Sequence, residues 1–319
     1  MEGAPTTTLG CSSTCERCGR KALAGDAIQT SRARRAVFAL QRYHRRERLD
    51  AMQLLTLKTI LVATDLSDAA KPATDTARAL AAASGAQLHV VHAGNASPEQ
   101  VLEQCGFDEG EARVHVVPGD PGTAIQTFAN ELHADLIVLG PHRASGDRAL
   151  GSTAMAVATN VAVPCLVVGS QLKLPIERVL APIDLSDTAR GALVVALQWA
   201  SALRPTRARS VTPATLAAMY VYSNGDESDA KRALAAEFDR IQDDAGHWAG
   251  VAIERLVLPA ADPVDAIAQH AADLTVIGTR GAGAGGAPRL GSVSQAVLGR
   301  TKAPVLLVPP AVWTVLSAS

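Results

Sequence analysis

Aromatic residues are scarce: Phe, Trp and Tyr together make up 3% of a 319-residue chain. Surfaces that hold single-stranded nucleic acid stack bases on such rings. The balance of 30 Lys and Arg against 31 Asp and Glu supplies no field to draw a polyanion either. Nucleic acid is therefore not an expected partner. No apolar run approaches the ~20 residues of a membrane span, and the N-terminus has no continuous apolar segment of the signal-peptide kind. Only five cysteines occur. Cys105 and Cys165 stand isolated in apolar or mixed surroundings, a usage that fits a reducing cytoplasm better than a disulfide framework. What is plentiful is apolar: 48% of residues are hydrophobic, in a length that suits about two domains.

The first 50 residues stand apart, with ten Arg and Lys against five Asp and Glu. Cys11, Cys15 and Cys18 form CxxxCxxC, a spacing that seats a metal when a fourth ligand is at hand. Here the candidate is the distant His44, and no second CxxC exists. The segment reads otherwise as a disordered basic tail. It also reads as a start placed too far upstream, since Met52 directly precedes Leu54-Leu55-Thr56-Leu57-Lys58-Thr59-Ile60, a natural opening for a first strand. Tail or upstream start is preferred over structural zinc, and residues 1–55 are set apart as a basic N-terminal extension.

From Thr59 onward one plan is written twice. Ile60-Leu61-Val62-Ala63-Thr64-Asp65-Leu66-Ser67-Asp68 is answered by Val179-Leu180-Ala181-Pro182-Ile183-Asp184-Leu185-Ser186-Asp187. Each is a short apolar strand followed by Asp-Leu-Ser-Asp. An Ala-rich helix is expected after each, about Ala69–Ser84 and Thr188–Leu203, with Ser67 and Ser186 placed to cap it. Second strands are expected at Leu88–His92 and Leu216–Val221, and third strands at Arg113–Val117 and Glu254–Leu258. Asp120-Pro121 and Asp262-Pro263 open the next helices, because proline is tolerated at the first helical position. Fourth strands end at Gly140 and Gly278. The copies close on Pro164-Cys165-Leu166-Val167-Val168 and Pro304-Val305-Leu306-Leu307-Val308.

Pro164 precedes Pro304 by the same interval that separates Gly151 from Gly291, so whole domains repeat and not solenoid units. The copies differ in detail. The second has an extra basic, Pro-bounded stretch, Arg204 to Pro213, expected as an exposed loop. It also lacks about one helical turn between Ile267 and Asp273. Strands alternating with helices imply an α/β chain of two tandem doubly wound parallel sheets, with helices on both faces. Ligands of such sheets bind beyond the strand carboxyl ends, where strand order reverses. Asp184 and Gly278 are therefore expected at one crevice.

The loop after Gly278 is rich in glycine. Glycine tolerates positive φ and lets backbone N–H groups approach a ligand with no Cβ between. N–H groups at a helix N-terminus favour an anion, most often phosphate. Gly291-Ser292 opens a helix-like segment, Val293 to Leu298, with Ser292 where an N-cap is expected. A P-loop does not fit, because no Lys precedes Ser292. A dinucleotide GxGxxG belongs in the first strand–helix turn and not near the end of the chain.

Gly278-x2-Gly281-x9-Gly291-Ser292 is similar to the motif of the ATP-binding branch of universal stress proteins, and both halves, 57–170 and 175–310, resemble domains of that family in tandem. The resemblance implies strand order 3-2-1-4-5 in each half, of the flavodoxin-like, Rossmann-like kind. It implies ATP, with magnesium, in the second half. Backbone N–H groups of Gly278 to Gly281 and of Gly291 to Val293 would wrap the triphosphate. Asp184 would meet the ribose or the metal, and Val221, just past the second strand, would lie against the adenine. In the first half Asp65, Gly140, Gly151 and Ser152 match, but Arg143 replaces the second glycine and the following interval is two residues shorter. Arg143 either contacts a phosphate, since guanidinium and phosphate pair well, or fills its space. Family members dimerise through their final strands. The apolar last strands of the two halves, otherwise unpaired edges, are thus expected to pair as an intramolecular pseudo-dimer, with homodimerisation of that unit left open.

Three functional readings follow. In the first, a stress-response regulator binds adenine nucleotide, which orders the loop and shifts a conformational or oligomeric equilibrium without fast catalysis. The second is an ATP hydrolase, and the third an interaction module that binds no nucleotide. Phosphoryl transfer needs positioned charge, metal and a water-orienting group. The loop offers Arg280 and Arg289, but neither a Lys beside Ser292 nor a clear general base. Asp187, a candidate metal ligand beside Asp184, also reads as a first-turn charge complementing the helix dipole. The first reading is preferred and slow hydrolysis is compatible with it. One ATP per chain is expected.

Overall fold

Ile60, Leu61 and Val62 are fully buried in Thr59–Thr64 (β1), because a parallel strand covered on both faces needs apolar residues in succession. The computed structural model describes residues 57–141, 151–204, 213–245, 251–280 and 290–312. The segment with Cys11, Cys15, Cys18 and His44 lies outside the described residues, as do Arg143, the extra loop 205–212, Gly281 and Arg289.

After β1 come α1 (Lys71–Ser84), β2 (Gln87–Ala93), α2 (Pro98–Cys105), β3 (Arg113–Val117), α3 (Pro121–Glu131), β4 (Leu136–Leu139), α4 (Ser152–Asn160) and β5 (Cys165–Val167). The second half repeats the plan as β6 (Arg178–Ile183), α5 (Asp187–Ala202), β7 (Ala214–Tyr222), α6 (Glu227–Ala245) and β8 (Val251–Pro259). It continues with α7 (Pro263–Gln269), β9 (Leu274–Gly278), α8 (Ser292–Arg300) and β10 (Val305–Val308). All these strands share one sheet, in the order β3-β2-β1-β4-β5-β10-β9-β6-β7-β8. Neighbours run parallel except β5 and β10, which pair antiparallel with Leu166 opposite Leu306. Each half therefore has the order 3-2-1-4-5, and the last strands are interior while β3 and β8 form the edges.

One apolar core runs through the seam. Cys165, Val167, Val305 and Leu307 join Ile125 and Val157 of the first half to Ile267 and Val297 of the second. Burial there pushes the Cys165 thiol up to about 12, so it behaves as a small apolar side chain. The link between the halves is held by both. Leu172 N–H donates to Thr76 Oγ1 of α1 at 3.0 Å, and Ile176 N–H donates to the Leu203 carbonyl past α5 at 2.8 Å. Among the described residues no helix is long and apolar enough to cross a membrane.

The two serine caps turn out differently. Ser186 Oγ accepts the Ala189 N–H at 3.2 Å and caps α5. Ser67 makes no cap bond; a 3-10 turn, Asp68–Ala70, separates it from α1. Pro72 is the reason. Its ring clashes with the carbonyl four residues back, that of Asp68, so an α-helix cannot run on from Asp68 as α5 does from Asp187. At the matching position α5 has Gly191. The missing turn read from the sequence falls on α7, seven residues against the eleven of α3.

Candidate functional site

Strand order in the second half reverses between β6 and β9, and a cavity of about 410 Å³ opens there at the carboxyl ends of the strands. Ile183, Met219, Val221 and Ile277 form its apolar floor, Pro263 and Ile267 of α7 one wall, and Asp184, Arg280, Gly291, Ser292, Val293 and Ser294 its rim. Asp184, Val221, Gly278, Arg280, Gly291, Ser292 and Val293 are thus brought to one place. Val221 lies inside β7, one residue before its end, in keeping with the strand read over Leu216–Val221. Pro182, Met219, Pro263, Ile267 and Ser294 are additions; the apolar ones look like core in sequence, although the pairing of Pro182 with Met219 across β6 and β7 follows from strand alternation.

Asp184 is fixed by its own turn. Its Oδ1 accepts the Ser186 N–H at 3.1 Å and the Ser186 hydroxyl at 2.5 Å. The turn closes over Leu185, whose φ is +64°. Asp65 does the same with Ser67 at 3.0 and 2.6 Å, over Leu66 at φ +63°. A left-handed leucine costs roughly 1–2 kcal/mol, and finding it at the same place in both halves marks the turn as one maintained against local preference.

Helices α2, α3, α5 and α7 carry side-chain caps, from Ser97, Asp120, Ser186 and Asp262. Helix α8 carries none. Its N-cap is Gly291, at φ −61° and ψ 147°, and Ser292 is its first helical residue, which corrects the expectation that Ser292 caps it. In helical conformation at that position a hydroxyl no longer reaches the orphan N–H groups as an N-cap does. They face the cavity rim uncapped by any side chain, an arrangement suited to an anion. Helix α4 behaves likewise, with Gly151 as N-cap and Ser152 first. Arg280 stands on the rim with no ion pair to any described residue.

Asp187 is committed elsewhere. Its Oδ1 lies 2.5 Å from Arg190 Nη1, and Arg190 also makes a two-pronged pair with buried Glu237 of α6. Of the two candidate metal ligands, Asp184 alone reaches the cavity. Among the described residues no group of three or more His, Cys, Asp or Glu is placed to hold a metal. A magnesium ion suits such a rim, because it is commonly held by one or two carboxylates with phosphate oxygens and water completing the octahedron.

The first half repeats the place in smaller form. Its cavity measures about 120 Å³ and is lined by Asp65, Gly140, Thr153 and Ala154 among others, with Gly151 and Ser152 at the adjoining start of α4. Its floor has smaller side chains, Val91 and Ala93 where the second half has Met219 and Val221. Those floor side chains do not account for the smaller volume. Ala69 and Ala70 of the 3-10 turn both stand in the lining, where only Ala189 does in the second half.

Two doubly wound halves in one sheet, each with a cavity where its strand order reverses, define a tandem flavodoxin-like α/β protein. The chain belongs to the universal stress protein family, whose sequence profile matches residues 56–104, 96–169 and 175–309. A universal stress protein from Archaeoglobus fulgidus DSM 4304 is 19% identical, with 80% of this chain and 100% of that one covered and a TM-score of 0.57. A putative universal stress protein from Pseudomonas aeruginosa UCBPP-PA14 is 18% identical, covering 84% of this chain and 98% of its own, with a TM-score of 0.58. Both likenesses show the fold. A universal stress protein solved in complex with cAMP is 30% identical and covers 35% of this chain and 95% of its own, with a TM-score of 0.30. No curated protein sequence matches the chain at a significant level.

Proposed function

We propose that the chain binds one ATP, or a related adenine nucleotide, with magnesium in its second half, and that it serves as a regulatory stress-response protein without fast catalysis. The observation that carries the reading is the contrast between two cavities at equivalent places. At about 410 Å³ the second falls within the few hundred Å³ of small-molecule sites, and at about 120 Å³ the first falls below it. The uncapped start of α8 and the Arg280 guanidinium supply the rim with positive charge for phosphates, and Asp184 offers a carboxylate to a ribose hydroxyl or to magnesium. Apolar Met219 and Val221 suit a base. Asp184 and Arg280 are the charged groups that line the described cavity. The halves act as an intramolecular pseudo-dimer through β5 and β10, and the buried, unpaired Cys105 and Cys165 suit the cytoplasm.

Calorimetric titration of the full chain with magnesium–ATP tests this. One site per chain is expected, abolished by Gly281→Glu, with phosphate release well below about one per second. No binding at millimolar concentration, or two equal sites, overturns it.

A further inference from the structure

We infer that Ser294 is a positioning residue, one that locks the two ends of the glycine loop together before a nucleotide arrives; this rests on the nucleotide reading above. Ser294 is 4% exposed, and a buried hydroxyl needs a partner. Its Oγ donates to the carbonyl oxygen of Gly278 at 2.7 Å. Gly278 is where β9 ends, and Ser294 lies in the first turn of α8, so the bond spans the loop from strand end to helix start. A second bond runs alongside it, from Gly291 N–H to the Thr279 carbonyl at 2.7 Å. On its other side Gly278 is pressed against α5, where an added Cβ would lie 2.8 Å from Thr188 Cγ2. The strand end is thus held between Thr188 and Ser294.

The first half lacks this lock. Ala154 stands in the place of Ser294 and has no hydroxyl, leaving, among the described residues, one loop-closing bond of this kind, Gly151 N–H to the Pro141 carbonyl at 3.1 Å. The half with the roomy cavity is also the half with the lock. Fixing the loop ends in advance lowers the ordering cost of phosphate binding. The adenine floor, built by β6 and β7, does not depend on it.

The test compares magnesium–ATP with adenosine on the full chain and on Ser294→Ala. ATP affinity is expected to fall about five- to tenfold, the equivalent of one lost hydrogen bond, while adenosine affinity stays within twofold. Ser294→Thr, which keeps the hydroxyl, is expected to restore ATP binding. Unchanged ATP affinity in Ser294→Ala, or an equal loss for both ligands, overturns the positioning role while leaving the nucleotide site in place. Failure of the unaltered chain to bind ATP overturns the site itself.

Discussion

His89 Nδ1 and His115 Nε2 lie 2.9 Å apart, joining β2 to β3 side chain to side chain. The rings are within 7° of parallel, and Phe128 of α3 lies against His115 with ring centroids 4.5 Å apart. Such a bond requires one imidazole to donate and the other to accept, so at least one must be neutral. Burial holds His89 below the ordinary value of 6.5, helped by the charges of His115 and Arg113. Burial and then Arg113 lower His115 as well, with Glu131 of α3 opposing.

Depressed histidine values mean that the unfolded chain takes up protons first. This contribution to stability is complete above the unfolded value near 6.5 and is lost as pH falls from there through the lower folded values. Urea midpoints are expected to drop between about pH 7.5 and 5.5. His115→Leu, which copies Leu256 at the equivalent position in the second half, is expected to remove the share of that slope carried by His115 and leave the share that burial gives His89. A flat midpoint across this range in the unaltered chain would sink the argument.

Gly278 and Gly140 hold the same place in the two copies but not for the same reason. A Cβ on Gly278 would stand 2.8 Å from Thr188 Cγ2 and 3.2 Å from the Thr188 carbonyl oxygen, whereas one on Gly140 would meet nothing nearer than 3.6 Å. Gly278→Ala is expected to cost about 1–3 kcal/mol through overpacking, part of it recovered by Thr188→Ser. Gly140→Ala is expected to cost less than about 1 kcal/mol. Denaturant unfolding of the three variants decides between a packing glycine and one kept only for ligand approach; equal costs would remove the distinction.

Strand order and repeat were legible because parallel strands buried on both faces leave unbroken apolar runs, and because the second copy confirms each assignment in the first. The meeting of Asp184, Gly278 and Gly291 at one cavity was legible for a related reason, since a doubly wound sheet gathers strand ends at its reversal point. Other features left no mark in sequence. Asp135 and Asp273 look like mere strand openers, yet Asp135 Oδ2 accepts the N–H groups of Lys58 and Thr59 at 2.7 and 2.9 Å. Asp273 Oδ2 accepts those of Glu177 and Arg178 at 3.0 and 2.8 Å. Partners so far apart in the chain have no periodicity to betray them. The first cavity is lined by Ala69 and Ala70 of the 3-10 turn before α1, a turn that nothing in the Ala-rich pattern announced. Ser294 looked like any small helical residue until its partner, Gly278, was known.

Arg190 and Glu237 tie α5 to α6, with side chains 11% and 3% exposed and Arg190 Nη2 donating to Glu237 Oε2 at 3.0 Å. A buried pair of this kind adds little over apolar packing, but removing Glu237 takes the buried partner from Arg190 and leaves it Asp187, whose side chain is 76% exposed. Glu237→Leu is expected to cost up to about 3 kcal/mol, the low end for a broken buried pair, because Asp187 remains beside Arg190. The double variant Arg190→Met with Glu237→Leu is expected to regain most of that. Chemical denaturation of the two single variants and the double one forms a cycle; additive losses would mean the pair is not coupled.

Gly291 offers the sharpest separation of stability from binding. Its φ of −61° is open to any residue, and an added Cβ would approach nothing closer than 3.4 Å, so neither strain nor crowding demands glycine. What glycine does there is leave the start of α8 without a competing side-chain oxygen. Gly291→Ser would supply one, because serine at an N-cap accepts from the N–H groups two or three residues on. The folded, unliganded chain is therefore expected to gain a few tenths of a kcal/mol, seen as a small rise in melting temperature. The same hydroxyl would occupy the donors that a phosphate needs, and ATP affinity is expected to fall about tenfold or more as those donors are lost, with adenosine affected far less. Stability and phosphate binding should move in opposite directions. If both rise, or if ATP affinity does not change, the start of α8 is not the phosphate cradle.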